Sequence, residues 1–162
     1  IQSGGFISVS VLQKYHEQLN NWKFLMAFLT IVISTGGNSG TQAASLIIRG
    51  LAISEMELSD WWRVLGRELV IGAVLGGLLS ILGFLKAVHS GYPYHVGIIV
   101  GLAIIGVVLL GVFFGSMLPF LFKKLRFDPA VVSSPFITTL VDATGIIVFI
   151  NVAIFVLSYF GK

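Results

Sequence analysis

The sequence has no cysteine, only three histidines and few charges. Without cysteine there is no disulfide, no thiolate metal site and no cysteine nucleophile. Charged residues make up 10% of the 162 positions, whereas a soluble domain carries roughly 25%. That deficit, with 56% hydrophobic residues and a mean hydropathy of +0.98, describes a membrane protein. The net charge of +3 is too diffuse to recruit nucleic acid. No Gly-x-Ser-x-Gly elbow is present, because Thr41 follows Gly37 and Ser39 where that motif needs glycine. No histidine lies in an apolar stretch to serve as a base, so an enzyme is not expected. His89 and His95 share a polar loop and lack further ligands for zinc. The opening IQSGGFISVS has neither an initiator methionine nor a charged n-region. It reads as the tail of an element that starts earlier, not as a signal peptide.

What the chain does have is long apolar runs. Crossing a bilayer takes about 20 mostly apolar residues in a helix. Val64–Leu85, Val96–Phe122 and Ser134–Phe160 each meet that length, the last despite one carboxylate. Trp22–Ala52 meets it only if the polar run STGGNSGTQAAS, residues 34–45, lies inside the membrane. Residues 4–12 fit the end of a truncated span. The fold expected is therefore all-α, an integral membrane bundle of five helices with the first incomplete.

The intervening segments support this division. Residues 14–21 are polar, and in SEMELSD either Ser54 or Ser59 is expected to cap the next helix. KAVHSGYPYH carries a turn signal, and KKLRFD precedes Pro129. Arg49, Arg63 and Arg67 flank one connection, and Lys123, Lys124 and Arg126 flank another on the same side. The positive-inside rule makes that side cytoplasmic. Lys14, Lys23, Lys86 and Lys162 are scattered over the opposite side, with the C-terminus. A multi-pass protein of the plasma (inner) membrane is expected.

Two kinds of intramembrane pattern follow. Gly72/Gly76, Gly97/Gly101 and Gly111/Gly115 recur at four-residue spacing, which lets helix backbones approach closely in lipid. The chemistry is expected elsewhere. Asp142 lies inside a span with no lysine or arginine in that span. A charge there costs about 2.5–3.5 kcal/mol on insertion scales, so it faces a cavity, a partner or an ion. Ser134, Thr138, Asp142 and Gly145 fall along one helical face, with Thr139 beside it. The competing structural readings are a protonated aspartic acid hydrogen-bonded to a neighbouring helix and a salt bridge to Arg49. In the preceding polar run Ser34, Asn38, Thr41, Gln42 and Ser45 share a face, with Gly36 and Gly40 on an adjacent strip. Exposed backbone at membrane depth belongs where it is buried in protein or lines a wet cavity.

Hydroxyl, amide and carbonyl oxygens with one carboxylate suit a hard cation such as Mg2+, which keeps several waters. Mn2+ and Co2+ accept the same ligands. One aspartate per chain is sparse, and a two-fold homodimer with this span at its axis would supply a second. A proton-coupled secondary transporter of divalent cations would also use a mid-membrane Asp142. Dependence of flux on a proton gradient separates the two.

GGNSGTQAASLIIRGLA (residues 36–52) and FDPAVVSSPFITTLVDATG (residues 127–145) resemble the two signature segments of the MgtE family of magnesium channels. The resemblance covers nearly the whole chain. It implies a transmembrane ion-conducting domain over residues 1–162, without the family's cytoplasmic amino-terminal and CBS regulatory domains. It further implies a homodimer of five-helix protomers whose axial pore is lined by the second and fifth helices. The family's ion-binding carboxylate falls on Asp142. Its pore-lining polar positions fall on Asn38, Thr138 and Ser134, with backbone oxygens near Gly37 and Gly40.

Overall fold

The computed structural model of the protein describes residues 23–131 and 134–160. Four long helices occupy almost all of them: α1 (Lys23–Ala52), α2 (Trp61–His89), α3 (Tyr94–Lys124) and α4 (Ser134–Phe160). Single 3-10 turns, Leu58–Asp60 and Pro129–Val131, precede α2 and α4, and there is no strand among the described residues. The truncated span at residues 4–12 lies outside them.

Three of these helices, α2, α3 and α4, are long and apolar enough to cross a membrane. Helix α1 is not among them, although its 30 residues make a rod of about 45 Å at 1.5 Å per residue. The helix is continuous through residues 34–45, with no break at Gly36–Gly40. A helix that satisfies its own backbone is the cheaper solution wherever water cannot reach the peptide groups.

The centre of the bundle is α3. Its buried residues (among them Val96, Ile99, Val100, Ala103, Ile104, Val107 and Val108) come from every side of the helix, because α1, α2 and α4 all pack on it. By contrast α2 buries mainly the stripe Val64, Glu68, Gly72 and Gly76, and turns Val70, Ile71, Val74, Leu78 and Leu82 outward. Such outward apolar surface suits lipid.

Glycine decides how closely the helices meet. A Cβ on Gly40 would lie 2.6 Å from the carbonyl oxygen of Gly111, and one on Gly36 would lie 2.6 Å from that of Val107. In return, Gly111 and Gly115 receive the carbonyl oxygens of Gly36 and Gly40. Two glycine pairs at four-residue spacing therefore interlock α1 with α3. On the far side of α3, Gly72 faces Val112 and Gly76 faces Ile105 and Val108.

The connections are shorter than the sequence suggested. Helix α2 runs on through Lys86 and His89, and α3 starts at Tyr94, so the turn is only residues 90–93. Gly91 adopts φ 82, and the amides of Gly91 and Tyr92 bond the carbonyls of Val88 and Ala87, the hydrogen-bond pattern of a Schellman C-cap. His95 belongs to α3 and stacks on Phe160 at 6.4 Å between ring centroids. The expected serine caps are not used. Ser54 instead takes φ 59 in the reversal after α1, and Asp60 occupies the N-cap of α2. Its carboxylate accepts the backbone N–H of Glu57 at 2.9 Å. Lys123 reaches from the end of α3 to donate to the carbonyl oxygen of Leu51 at 3.0 Å, which satisfies an acceptor left open at the end of α1.

Candidate functional site

Helices α1 and α4 lean on α3 side by side and leave an open groove of about 490 Å³ between them. Its walls are Leu29, Thr30, Ile33, Ser34, Gly37 and Asn38 from α1, and Thr138, Asp142 and Ile146 from α4. Part of each polar stripe read from the sequence thus meets across one groove, Ser34 and Asn38 from α1 and Thr138 and Asp142 from α4. The helices approach where Gly37 lies: a Cβ there would sit 3.4 Å from the Thr138 Cγ2.

Asp142 is half-buried in this wall and has no hydrogen-bond or ion-pair partner among the described residues. Arg49 does not reach it, so the salt-bridge reading finds no support there. The amide of Asn38 is exposed and likewise makes no bond within the described residues. Hydroxyls nearby are held differently. Thr138 donates back to the Ser134 and Pro135 carbonyls at 3.1 Å each. Ser39 does the same to Thr35 at 2.9 Å, and Ser45 to Thr41 at 2.8 Å. A hydroxyl that spends its proton on its own helix keeps oxygen lone pairs for another donor or for a cation.

The other anticipated residues separate by position. Ser134 lies beyond the groove lining, where its hydroxyl donates to the Thr41 Oγ1 at 3.4 Å and ties α4 to α1. Gly40 does not line the groove, because its carbonyl packs on Gly115 of α3. Gly145 also turns away, towards Val107 and Ile33. Both glycines belong to the helix contacts. No three His, Cys, Asp or Glu side chains cluster among the described residues. A cation in this groove would meet one carboxylate per chain.

Sequence reasoning passed over one residue. Glu68 is 5% exposed, a carboxylate more deeply buried than Asp142. Arg67 donates to its Oε1 through Nε at 3.2 Å and Nη2 at 2.9 Å. Its spacing of four from Val64 and Gly72 was the available signal, since it places Glu68 on the α2 stripe that packs on α3.

Comparison with known proteins shows the family. Residues 29–152 match the family model MgtE, described as a divalent cation transporter. The chain belongs to the MgtE family. It is 38% identical over 149 residues to the magnesium transporter MgtE of Thermus thermophilus, covering 92% of this chain and 33% of that protein. It is 30% identical over 156 residues to the magnesium transporter MgtE of Enterococcus faecalis, covering 96% and 34%. The Bacillus subtilis protein of the same name is 29% identical over 149 residues, covering 92% and 33%. The chain therefore spans about a third of the length of these family members. The family match encloses α2, α3 and the whole groove lining, from Leu29 to Ile146.

Proposed function

We propose that this chain forms the membrane-spanning, ion-conducting part of a plasma-membrane magnesium transporter, in which partly hydrated Mg2+ passes along the α1–α4 groove. The observation that carries the reading is Asp142. It is a carboxylate without a hydrogen-bond or ion-pair partner among the described residues, set in an open groove of a family-matched membrane bundle. An intramembrane carboxylate left in that state is expected to serve an ion.

In this reading Asp142 provides the negative charge that lowers the barrier to a divalent ion. Thr138, Asn38 and Ser34 provide neutral oxygens that replace or hydrogen-bond waters of the hydration shell. Mg2+ sheds water reluctantly and is usually bound through one or two carboxylates. The groove is open on one side and holds one carboxylate, so a second copy facing it across a two-fold axis would close the path and add the second. Ser134 continues the polar wall beyond the groove, while Gly36 and Gly40 are assigned to packing against α3. Mn2+ and Co2+ meet the same ligands, and their relative passage would follow from the width of the closed path.

The test is Mg2+ uptake into liposomes containing the protein, with Asp142→Asn and Asn38→Ala beside wild type. Uptake is expected to fall about tenfold or more for Asp142→Asn and several-fold for Asn38→Ala. Asp142→Asn conducting as well as wild type would remove the site assignment. Uptake driven by membrane potential alone supports a channel, whereas an absolute need for a proton gradient supports proton coupling through Asp142. Cysteines placed along α1 or α4 are expected to cross-link into dimers. A monomer that still transports would overturn the axial path.

A further inference from the structure

A second groove lies between the start of α2 and the end of α3, and it shares no residue with the α1–α4 groove. We infer that it binds one anionic phospholipid, with an acyl chain against its apolar wall and the phosphate on Lys124.

The cavity measures about 490 Å³, and its wall is mainly apolar (Leu58, Trp61, Met117, Phe120 and Leu121), with Ser59 and Lys124 as its polar members. That size falls in the roughly 300–1,000 Å³ range of small-molecule sites. Its depth in the bilayer is marked by Trp61 and Trp62 at the first two positions of α2, 51% and 57% exposed. Tryptophans gather where hydrocarbon meets headgroups. The apolar wall then lies at acyl-chain level and the lysine at phosphate level.

Charge decides which lipid. The ammonium of Lys124 is exposed and has no hydrogen bond or ion pair within the described residues. Its neighbour Lys123 is already committed to the Leu51 carbonyl. Two carboxylates of the turn before α2 are engaged locally. Asp60 accepts the Glu57 amide at 2.9 Å and lies 3.9 Å from Arg63, and Glu57 accepts the Ser59 hydroxyl at 3.5 Å. Arg63 stacks over the Trp62 ring at 5.1 Å, and Arg126 follows α3 on the same end. A cation in the wall of an apolar slot, without a partner among the described residues and with further basic groups at the same end, favours a net-negative headgroup over a zwitterionic one.

The test is native mass spectrometry of the protein in detergent after exchange with equal amounts of phosphatidylglycerol and phosphatidylcholine. Wild type is expected to retain one phosphatidylglycerol in preference to phosphatidylcholine. Lys124→Ala is expected to lower that preference about five-fold, the share of one lysine near an anionic headgroup. Leu121→Trp fills the slot with all charges kept, and is expected to abolish the bound lipid. Lys86→Ala, at the opposite end of α2, is expected to change nothing. All four proteins are first checked for the same melting temperature. Preference unchanged in Lys124→Ala, retention in Leu121→Trp, or equal loss in Lys86→Ala overturns the site. So does a wild type that holds neither lipid selectively, as when another segment of protein fills the slot.

Discussion

Gly40→Ala tests the glycine interlock most directly. The added methyl would lie 2.6 Å from the Gly111 carbonyl oxygen, 3.0 Å from its carbonyl carbon and 3.0 Å from the Ile137 Cγ2. Comfortable carbon contacts are about 3.5–4.0 Å, so α1 must withdraw from α3 by roughly 0.5–1 Å. The obstructing atoms on α3 are backbone of the most enclosed helix and cannot rotate aside. Overpacking of this kind costs about 1–3 kcal/mol, or a melting temperature lower by roughly 2–12 °C for a chain of this size. Gly77→Ala is the matched control, because nothing lies within 4 Å of a Cβ there. Its only large effect is a gain in helix propensity of up to about 1 kcal/mol. Thermal unfolding of both variants in one detergent measures the difference. Withdrawal of α1 would also carry Gly37 away from Thr138, so uptake per folded protein should fall for Gly40→Ala alone. Equal melting of Gly40→Ala and Gly77→Ala would refute the interlock.

Gly37→Ala should behave differently from its neighbour. Its methyl would meet Thr138 at an ordinary 3.4 Å, so stability should stay within about 0.5 kcal/mol. Liposome uptake should drop as the groove narrows, and a melting loss as large as that of Gly40→Ala would contradict the assignment. Lys123→Met removes the ammonium that donates to the Leu51 carbonyl at 3.0 Å. A hydrogen bond to a charged group is worth about 1.5–3 kcal/mol, and the lower end applies to this half-exposed lysine. Denaturant unfolding reads that loss, and an unchanged midpoint would show the contact to be idle.

Three of the spans, and the meeting of part of each polar stripe, were legible because both rest on simple periodicity. Twenty apolar residues fix a span, and steps of three and four fix a face. Asp142, Thr138, Asn38 and Ser34 accordingly come together in one groove. What periodicity does not fix is how far a face extends around the helix before it meets a neighbour. Gly36, Gly37 and Gly40 are close in sequence, yet Gly37 turns to α4, Gly36 to α3, and Gly40 chiefly to α3 with Ile137 of α4 beside it. Gly145 follows Asp142 by three positions and still points into the Val107 contact. The serine caps failed for a local reason. The chain needs a left-handed residue to reverse after α1, and Ser54 fills it, leaving Asp60 to start α2.

Two carboxylates in one membrane bundle need separate accounts, and their surroundings supply them. Asp142 borders an open groove and has no partner among the described residues, so its charge is available to an ion. Glu68 is enclosed, its side chain 6% exposed, and Arg67 grips one of its oxygens while leaving 54% of its own side chain accessible. That asymmetry gives a directional prediction. Arg67→Met strands a buried carboxylate, which costs about 3–5 kcal/mol for a fully buried pair. The lower end is expected here, because half of the arginine is hydrated. Glu68→Met leaves only an arginine that solvent can reach, and should cost clearly less. The double variant should recover much of the loss, since an apolar pair of similar volume often replaces an ion pair at little cost. Melting temperatures of the three proteins measure this cycle, and equal losses for both single variants would contradict it. Uptake adds an independent reading: Glu68→Gln should conduct like wild type, because Glu68 does not line the groove. If Glu68→Gln melted normally but lost conduction as Asp142→Asn does, the ion path would run past α2, and the α1–α4 groove would not be its wall.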